Sequence, residues 1–200
     1  MSEETGFVKK PYSQKRCDAF YQAMMTLHKT MLGDVGINMN MQKWTPLEKT
    51  VKVNIALEFA IFMHLGQLDK NKMPYIEHPI RVSECVGNAP EKIVALLHDT
   101  IEDTELKLED LVYHFPLIIL GAIGAISRRR HEEYADYINR IAEDPIARRV
   151  KIADLIDNMS EERWCFGERS MSNSMWKRYY NALEYLIRVE KNIITGKINN

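Results

Sequence analysis

Residues 96–104, with the sequence LLHDTIEDT, join an apolar run to a cluster of ionisable side chains. The apolar run predicts a buried helix that leads into this cluster. Helical spacing stacks His98 on Glu102, and it also brings Asp99 close to Asp103. Carboxylates this close repel one another, and repulsion with burial raises a carboxylate pKa, so a cation is expected among them. The stretch therefore indicates either a divalent metal site or the solvated acidic end of a surface helix.

Composition limits the classes of protein to which the chain can belong. Its 200 residues fit one domain with a short extension, and its net charge of −1 argues against a general nucleic-acid binder. The three cysteines form no CxxC pair, so reduced thiols are expected rather than a disulfide framework or a zinc knuckle. Because no signal peptide and no bilayer-length apolar segment is recognised, the expected location is cytoplasmic, without membrane association.

The pattern of apolar residues predicts an all-α fold, since no segment alternates as a half-buried strand would. A capping box at Thr45 and Glu48, with a proline between them, predicts a helix that ends near Leu65. The second half of this helix is apolar on all sides and is therefore expected at the centre of the fold. Further helices are predicted over residues 13–32, 91–100, 106–115, 117–126, 130–143, 145–158 and 176–194.

The chain divides into two predicted parts at residue 45. Residues 1–45 form an N-terminal extension, in which the predicted helix over residues 13–32 carries an apolar stripe. Because such a stripe must be covered, this helix is expected either to pack on the rest of the protein or to form part of a homo-oligomer interface. Residues 46–200 form the second part, which contains all the candidate functional residues.

Polar residues in apolar surroundings recur in a fixed order along this second part. His64 ends one predicted helix, and Asp154 lies in an apolar stretch of another, where a carboxylate seldom lies without a partner. Between them come His98 and Asp99. This H…HD…D order is that of the HD-domain metallohydrolases, and two imidazoles with two carboxylates suit Mn²⁺, Fe²⁺ or Zn²⁺. Residues 46–200 are therefore predicted to form an HD-domain helical bundle that binds a metal.

Four sequence motifs resemble the hydrolase domain of the RelA/SpoT homologue family. They are AIFMHLGQLDK (60–70), PYIEHP (74–79), LLHDTIEDT (96–104) and KIADLIDNM (151–159). The resemblance covers about residues 46–190 and leaves no room in this sequence for a synthetase domain, so the chain is similar to small, stand-alone alarmone hydrolases. It implies a metal-dependent enzyme that removes the 3′-pyrophosphate from (p)ppGpp to give GDP or GTP.

The resemblance also implies which side chains bind the metal. His64, His98, Asp99 and Asp154 match the ligand positions, and the ion is typically Mn²⁺ in this family. A further histidine, His78, belongs to the PYIEHP motif. The resemblance implies that His78 orders the loop beside the site rather than binding metal.

Other positions are expected to act on the substrate. Glu102 and Asp103 match the pair that activates the attacking water, and a carboxylate can do so as a general base. An asparagine and one of two adjacent tyrosines, Tyr179 or Tyr180, match nucleotide-contacting positions, while lysines would neutralise an anionic substrate. The expected substrate contacts are Asn158, Lys70, Lys151 and Tyr179.

The rim of the expected substrate site departs from the family pattern. Ser160 stands where relatives usually carry arginine, and Leu155 stands where many carry a basic residue. Two alternatives to (p)ppGpp hydrolysis therefore remain open. One is an HD phosphohydrolase of another nucleotide, such as ppApp, a nucleoside 5′-phosphate or NADPH. The other is a non-catalytic nucleotide-binding or interaction module, against which the intact Glu102 and Asp103 argue.

Overall fold

The computed structural model describes residues 40–160 and 171–196, and every regular element in these ranges is a helix. The predicted all-α fold is therefore confirmed for this part of the chain. The nearest approach to a strand there is an isolated bridge between Leu68 and Pro74. The predicted helix over residues 13–32 lies outside the described residues.

The described residues form α-helices that follow one another with short connections. They are α1 (Pro46–Met63), α2 (Glu77–Glu84), α3 (Ala89–Leu97), α4 (Thr100–Asp103), α5 (Leu117–Ile126), α6 (Tyr134–Glu143), α7 (Pro145–Met159) and α8 (Asn173–Ile194). Short 3₁₀ turns occupy Met41–Lys43 and Leu108–Leu111.

Two differences from the predicted helices have local causes. The helix predicted over residues 106–115 is reduced to one 3₁₀ turn, because the side chains of Thr104 and Asp110 accept hydrogen bonds from nearby backbone N–H groups and compete with helix formation. α3 begins earlier than predicted, at Ala89. Asn88 caps it by accepting a hydrogen bond from Glu91 N at 3.0 Å, and proline fits its first turn.

α3 is the central helix of the bundle. It packs against α1, α2, α5 and α7, and the side chains of its second half are fully buried. The expectation that α1 lies at the centre is wrong, because Ile61 on α1 is 44% exposed. The buried face of α1 includes Lys52, which donates a hydrogen bond to His114 O at 2.5 Å, and burial lowers the pKa of Lys52 to about 8.

The predicted helix over residues 91–100 is interrupted at His98 and Asp99, which form a turn between α3 and α4. The hydroxyl of Thr100 donates a hydrogen bond to Leu97 O at 2.7 Å and so satisfies a carbonyl at the end of α3. The helix resumes at once, since Asp103 N donates to Asp99 O at 2.9 Å. Both residues of the turn keep backbone angles in the right-handed helical region, so α4 follows α3 directly.

Arg140 on α6 closes the C-terminal end of α5. Its guanidinium donates to Gly124 O, Ala125 O and Ser127 O at 2.8, 2.7 and 3.1 Å, which satisfies carbonyls that have no partner within α5. Glu132 accepts two further hydrogen bonds from the same guanidinium, at 2.9 and 2.7 Å. These bonds hold the pKa of Glu132 at about 2, below its ordinary 4.5.

Replacing Glu132 with glutamine should lower stability only where the carboxylate is ionised. Because the folded-state pKa is depressed, its contribution is complete above about pH 4.5 and is lost as the pH falls towards about 2. We expect a loss of about 1 kcal/mol at neutral pH, or about 2–4 °C in melting temperature. Thermal melts of both proteins at pH 7 and pH 3 measure this difference. If the difference in melting temperature between the two proteins is as large at pH 3 as at pH 7, the ionised Glu132 carboxylate is not its cause.

α8 is fixed to α7 by an ion-pair network in which Arg148 is buried and Arg149 is exposed. Glu190 accepts hydrogen bonds from Arg148 Nε and Arg149 Nε, both at 2.7 Å, and Arg149 also binds Glu91 at 3.0 Å. Leu186 and Ala182 pack into the core one and two turns earlier on α8. These contacts hold α8 against the bundle, and its first half then lies beside the candidate site.

Candidate metal centre and substrate cleft

Two helices and the α3–α4 turn bring a group of histidines and aspartates together. Ligand atoms of His78 (α2), His98 and Asp154 (α7) all lie within 4.8 Å of one another, and all three side chains are buried. His78 Nε2 lies 3.1 Å from Asp154 Oδ1, and His98 Nε2 lies 3.1 Å from Asp99 Oδ2. The Nε2 atom of His78 is also 3.6 Å from Asp99 Oδ2. Two imidazoles and two carboxylates therefore converge on one point.

The hydrogen bonds of both imidazoles leave their Nε2 atoms directed at this point. His78 Nδ1 donates to Asp157 Oδ2 at 2.7 Å, and Arg81 Nε holds the other oxygen of the same carboxylate at 2.7 Å. His98 Nδ1 donates to Ala95 O at 2.7 Å. Metal-binding histidines commonly donate the second ring N–H to a carboxylate or a backbone carbonyl in this way. Asp157 and Arg81 thus fix the orientation of His78.

The electrostatics of the cluster favour a cation. Burial alone would lower the pKa of His98, but the charges of Asp99 and Asp154 outweigh it and raise this pKa. Burial likewise opposes ionisation of Asp154, yet Lys151 and the two histidines hold its pKa well below the ordinary value. The buried His98 Nε2 has no hydrogen-bond partner of good geometry among the described residues. This donor set fits a divalent ion with mixed nitrogen and oxygen ligands.

The fourth predicted ligand, His64, is buried at the end of α1 beside this cluster. Its Nδ1 donates to Gln67 Oε1 at 2.7 Å, and its buried Nε2 has no hydrogen-bond partner among the described residues. Burial lowers the pKa of His64, and the hydrogen bond to Gln67 and the charge of Asp99 oppose this shift. The group of close ligand atoms contains His78 but not His64. The other three predicted ligands converge there, and the assignment of His64 as a ligand stays a prediction.

A cleft of about 340 Å³ lies beside the cluster and is partly open to solvent. This volume falls within the range of small-ligand sites, and the open side leaves room for a nucleotide to extend outward. Glu102 and Asp103 lie on its wall, as the sequence predicted. Glu102 Oε1 accepts a hydrogen bond from Arg128 N at 2.7 Å. The Glu102 carboxylate opens to the cleft but is crowded by protein on its other sides, and this burial, with the charge of Asp99, raises its pKa.

All four predicted substrate-contacting residues line this cleft. Lys70 comes from the loop before α2, and Tyr179 comes from α8. Lys151 Nζ lies 2.8 Å from Asp154 Oδ2, and Asn158 Nδ2 donates to Asp154 Oδ1 at 2.6 Å. Two of the four therefore already contact a proposed metal ligand, and the roles of all four in substrate binding stay predictions.

Comparison with known proteins finds relatives described as guanosine-3′,5′-bis(diphosphate) 3′-pyrophosphohydrolases. It is 30% identical over 118 residues to "Guanosine-3′,5′-bis(diphosphate) 3′-pyrophosphohydrolase MESH1" of Drosophila melanogaster, covering 52% of this chain and 66% of the relative. The chain belongs to the RelA/SpoT homologue family. The protein of the same description from Xenopus tropicalis is 27% identical over 165 residues, covering 72% of this chain and 89% of the relative.

The other comparisons bear on fold and length. A solved structure described as a metazoan ortholog of SpoT that hydrolyses ppGpp matches with a TM-score of 0.56 and 24% identity, over 69% of this chain and 84% of that one. The chain spans only 16% and 22% of the length of two bacterial relatives, each 30% identical to it. No family model matches the chain. Among the described residues, no helix has the length and apolar character needed to cross a bilayer.

Several functional candidates of this RelA/SpoT homologue were missed from the sequence. The hydroxyl of Tyr75 donates to Asp99 Oδ2, and Tyr75 also packs against the His64 ring with a centroid distance of 4.9 Å. Arg128, Tyr134 and Arg178 line the cleft. Tyr75 and His78 share the PYIEHP motif, so this motif was the available signal. The other three lie on separate elements, and no spacing connects them.

Proposed function

We propose that the chain hydrolyses the 3′-pyrophosphate of (p)ppGpp, giving GDP or GTP and pyrophosphate. The observation that carries this proposal is the position of the buried His/Asp cluster at the wall of a cleft that is partly open to solvent. Relatives described as ppGpp 3′-pyrophosphohydrolases add support, because the chain spans 89% of one of them.

The proposed metal ligands are His64, His98, Asp99 and Asp154, with His78 Nε2 directed at the same cluster, and the proposed ion is Mn²⁺. When bound, such an ion would acidify a water and neutralise phosphoryl charge. Asp157 keeps His78 in the orientation that directs Nε2 at the centre, and the Tyr75 hydroxyl holds Asp99. In this proposal the protein's own contribution is a fixed set of ligands that does not have to reorganise during turnover.

The residues around the centre have distinct proposed roles. Glu102 removes the proton of the attacking water, for which a raised pKa makes its carboxylate a better acceptor. Lys151 and Lys70 neutralise the phosphates, and the leaving 3′-oxygen takes up a proton as its bond to phosphorus breaks. Asn158 and Tyr179 contact the nucleotide. The cleft places all five side chains along one surface.

A specific observation favours the alternative that another nucleotide is the substrate. Ser160, where relatives usually carry arginine, turns its hydroxyl to Asp157 O at 2.8 Å, and Leu155 is buried. Neither position supplies a positive charge to the cleft. A related HD phosphohydrolase activity, on ppApp, a nucleoside 5′-phosphate or NADPH, would need fewer or differently placed charges.

A substrate panel in the presence of Mn²⁺ tests the proposed function. We expect ppGpp and pppGpp to be hydrolysed to GDP or GTP, with kcat/KM at least tenfold above that of ppApp, 5′-nucleotides and NADPH. An Asp154→Asn variant controls for contaminating hydrolases, because it removes a ligand while keeping nearly the same side-chain volume. A higher kcat/KM for NADPH or a 5′-nucleotide would overturn the assignment in favour of the alternative.

Location and assembly belong to the same proposal. We place the protein in the cytoplasm, where its nucleotide substrates are found, and we propose that the N-terminal extension packs on the hydrolase domain or forms part of a homo-oligomer interface. Comparing the sedimentation of the full chain with that of a form lacking residues 1–39 tests the second point. This truncation retains Asn40, which caps the first 3₁₀ turn, and Trp44, which is buried in the core.

A further inference from the structure

Tyr134 has a polar atom that the described protein does not satisfy. Its hydroxyl oxygen is buried and has no hydrogen-bond partner among the described residues, yet its ring lines the cleft. Native structures seldom leave a buried hydroxyl without a partner. Burial raises the pKa of Tyr134, so its hydroxyl stays protonated and can donate to an acceptor. A ligand oxygen in the cleft would be such an acceptor.

Two guanidinium groups lie over the same ring. Arg178 Cζ is 4.9 Å from the Tyr134 ring centroid, and Arg128 Cζ is 5.7 Å from it. The Tyr179 ring stacks against Tyr134 with a centroid distance of 6.5 Å and an angle of 24°. In the described parts of the chain no carboxylate lies within ion-pair distance of Arg178. This Tyr134 cluster (Tyr134, Arg128 and Arg178) therefore presents positive charge and an unused donor to the cleft.

The cluster is connected to the metal centre through Lys151. Lys151 contacts Asp154 at the centre and also lies 5.2 Å from the Tyr137 ring centroid. The Tyr134 ring lies 6.0 Å from that of Tyr137 between centroids. The Tyr134 cluster therefore lines the same cleft as the proposed ligands without being part of the group of close ligand atoms. Two separated phosphate-bearing ends are a property of (p)ppGpp, in which only the 3′ end reacts.

We infer that the Tyr134 cluster binds the non-reacting 5′-polyphosphate of the substrate and so determines the preference for nucleotides phosphorylated at both ends. Arg178 and Arg128 pair with the phosphate oxygens, and the Tyr134 hydroxyl donates to one of them. This inference rests on the proposed function and extends it. It also accounts for the neutral residues at positions 155 and 160, because positive charge reaches the cleft from α8 and from the α5–α6 connection instead.

Arg178→Gln tests the inference against a matched control, Arg188→Gln. Arg188 lies on the same helix, is exposed, and stacks over Tyr185 at 5.7 Å, but it does not line the cleft. We expect Arg178→Gln to raise KM for ppGpp about tenfold with little change in kcat, the range for losing a charged hydrogen bond. Arg188→Gln should leave both constants unchanged. Equal effects of the two variants would overturn the inference.

A substrate lacking 5′-phosphates separates binding of that group from a general structural effect. Guanosine 3′-diphosphate with a free 5′-hydroxyl should have a raised KM with wild-type protein, and Arg178→Gln or Tyr134→Phe should raise that KM no further. If the two variants raise the KM of this substrate as much as they raise the KM of ppGpp, the cluster does not contact the 5′ end, and the inference is overturned. Tyr134→Phe keeps the ring, and an unchanged melting temperature verifies its fold.

Failure of the inference can be distinguished from failure of the proposed function. If wild-type protein does not hydrolyse ppGpp, the proposed function fails. Equilibrium binding of ppGpp to the wild-type, Arg178→Gln and Arg188→Gln proteins then still reports on the cluster. If wild-type protein hydrolyses ppGpp but neither Arg178→Gln nor Tyr134→Phe alters KM or its dependence on the 5′-phosphates, only the inference fails.

Discussion

Replacing His64 with glutamine should remove the bound divalent ion and reduce ppGpp hydrolysis on the order of 100-fold or more, because it deletes a proposed ligand. The buried His64 Nε2 has no hydrogen-bond partner among the described residues, and its Nδ1 is held by Gln67 at 2.7 Å. His78→Gln is the comparison, since His78 Nε2 lies 3.1 and 3.6 Å from Asp154 and Asp99 but is not a proposed ligand. It should weaken metal binding less than His64→Gln. Metal content after dialysis, measured by elemental analysis on the protein used for kinetics, compares the two variants.

Asp157→Asn provides an intermediate case for the same experiment. It removes the charge that holds His78 Nδ1 but leaves every proposed ligand in place. Metal affinity should fall about 10- to 100-fold, the usual effect of changing a residue that orients the groups around a metal. Circular dichroism confirms that each variant is folded. Retention of the ion in His64→Gln with its loss from His78→Gln would contradict the proposed ligand set and show that His78 binds the ion instead.

Replacing Glu102 with glutamine should lower turnover on the order of 100-fold or more while sparing the metal. The glutamine keeps the size of the side chain and an oxygen that can accept the hydrogen bond from Arg128 N, but it cannot take a proton. Glu102 lies one helical turn beyond Asp99, with its carboxylate open to the cleft. Steady-state hydrolysis of ppGpp is measured together with metal content on the same preparation.

Glu105→Gln is the control for this experiment. Glu105 is exposed, lies one turn after Glu102 and does not line the cleft, so its replacement should change turnover little. Both variants carry the same change in net charge, which removes a general electrostatic explanation. Near-normal turnover of Glu102→Gln with a full metal complement would show that other groups activate the water.

The sequence predicted the helices where one strong local signal decided them. The capping box at Thr45 and the proline at position 145 mark the starts of α1 and α7, as the structure has them. The buried Lys52 could not be predicted, because its partner is a backbone oxygen 62 residues away. The order of helices around α3 likewise depends on contacts between distant segments, which hydrophobicity along the chain does not encode.

The candidate site could be predicted only in part, because some of its residues meet only in the folded chain. His98, Asp99 and Asp154 lie in apolar stretches, where polar residues are conspicuous. His78 also lies at the cluster, and spacing along the sequence does not show that its Nε2 faces the aspartates. The Tyr134 cluster joins α6, α8 and the connection before α6, so its members meet only in the folded chain.

The turn between α3 and α4 has a consequence for anyone transplanting this centre into a designed bundle. His98 and Asp99 are adjacent there, with backbone angles in the right-handed helical region, and His98 Nε2 lies 3.1 Å from Asp99 Oδ2. The hydroxyl of Thr100 satisfies the carbonyl of the buried Leu97 at the end of α3. A graft that copied the ligands without this threonine would lose that bond inside the new core. The unit to graft is therefore the turn together with Thr100.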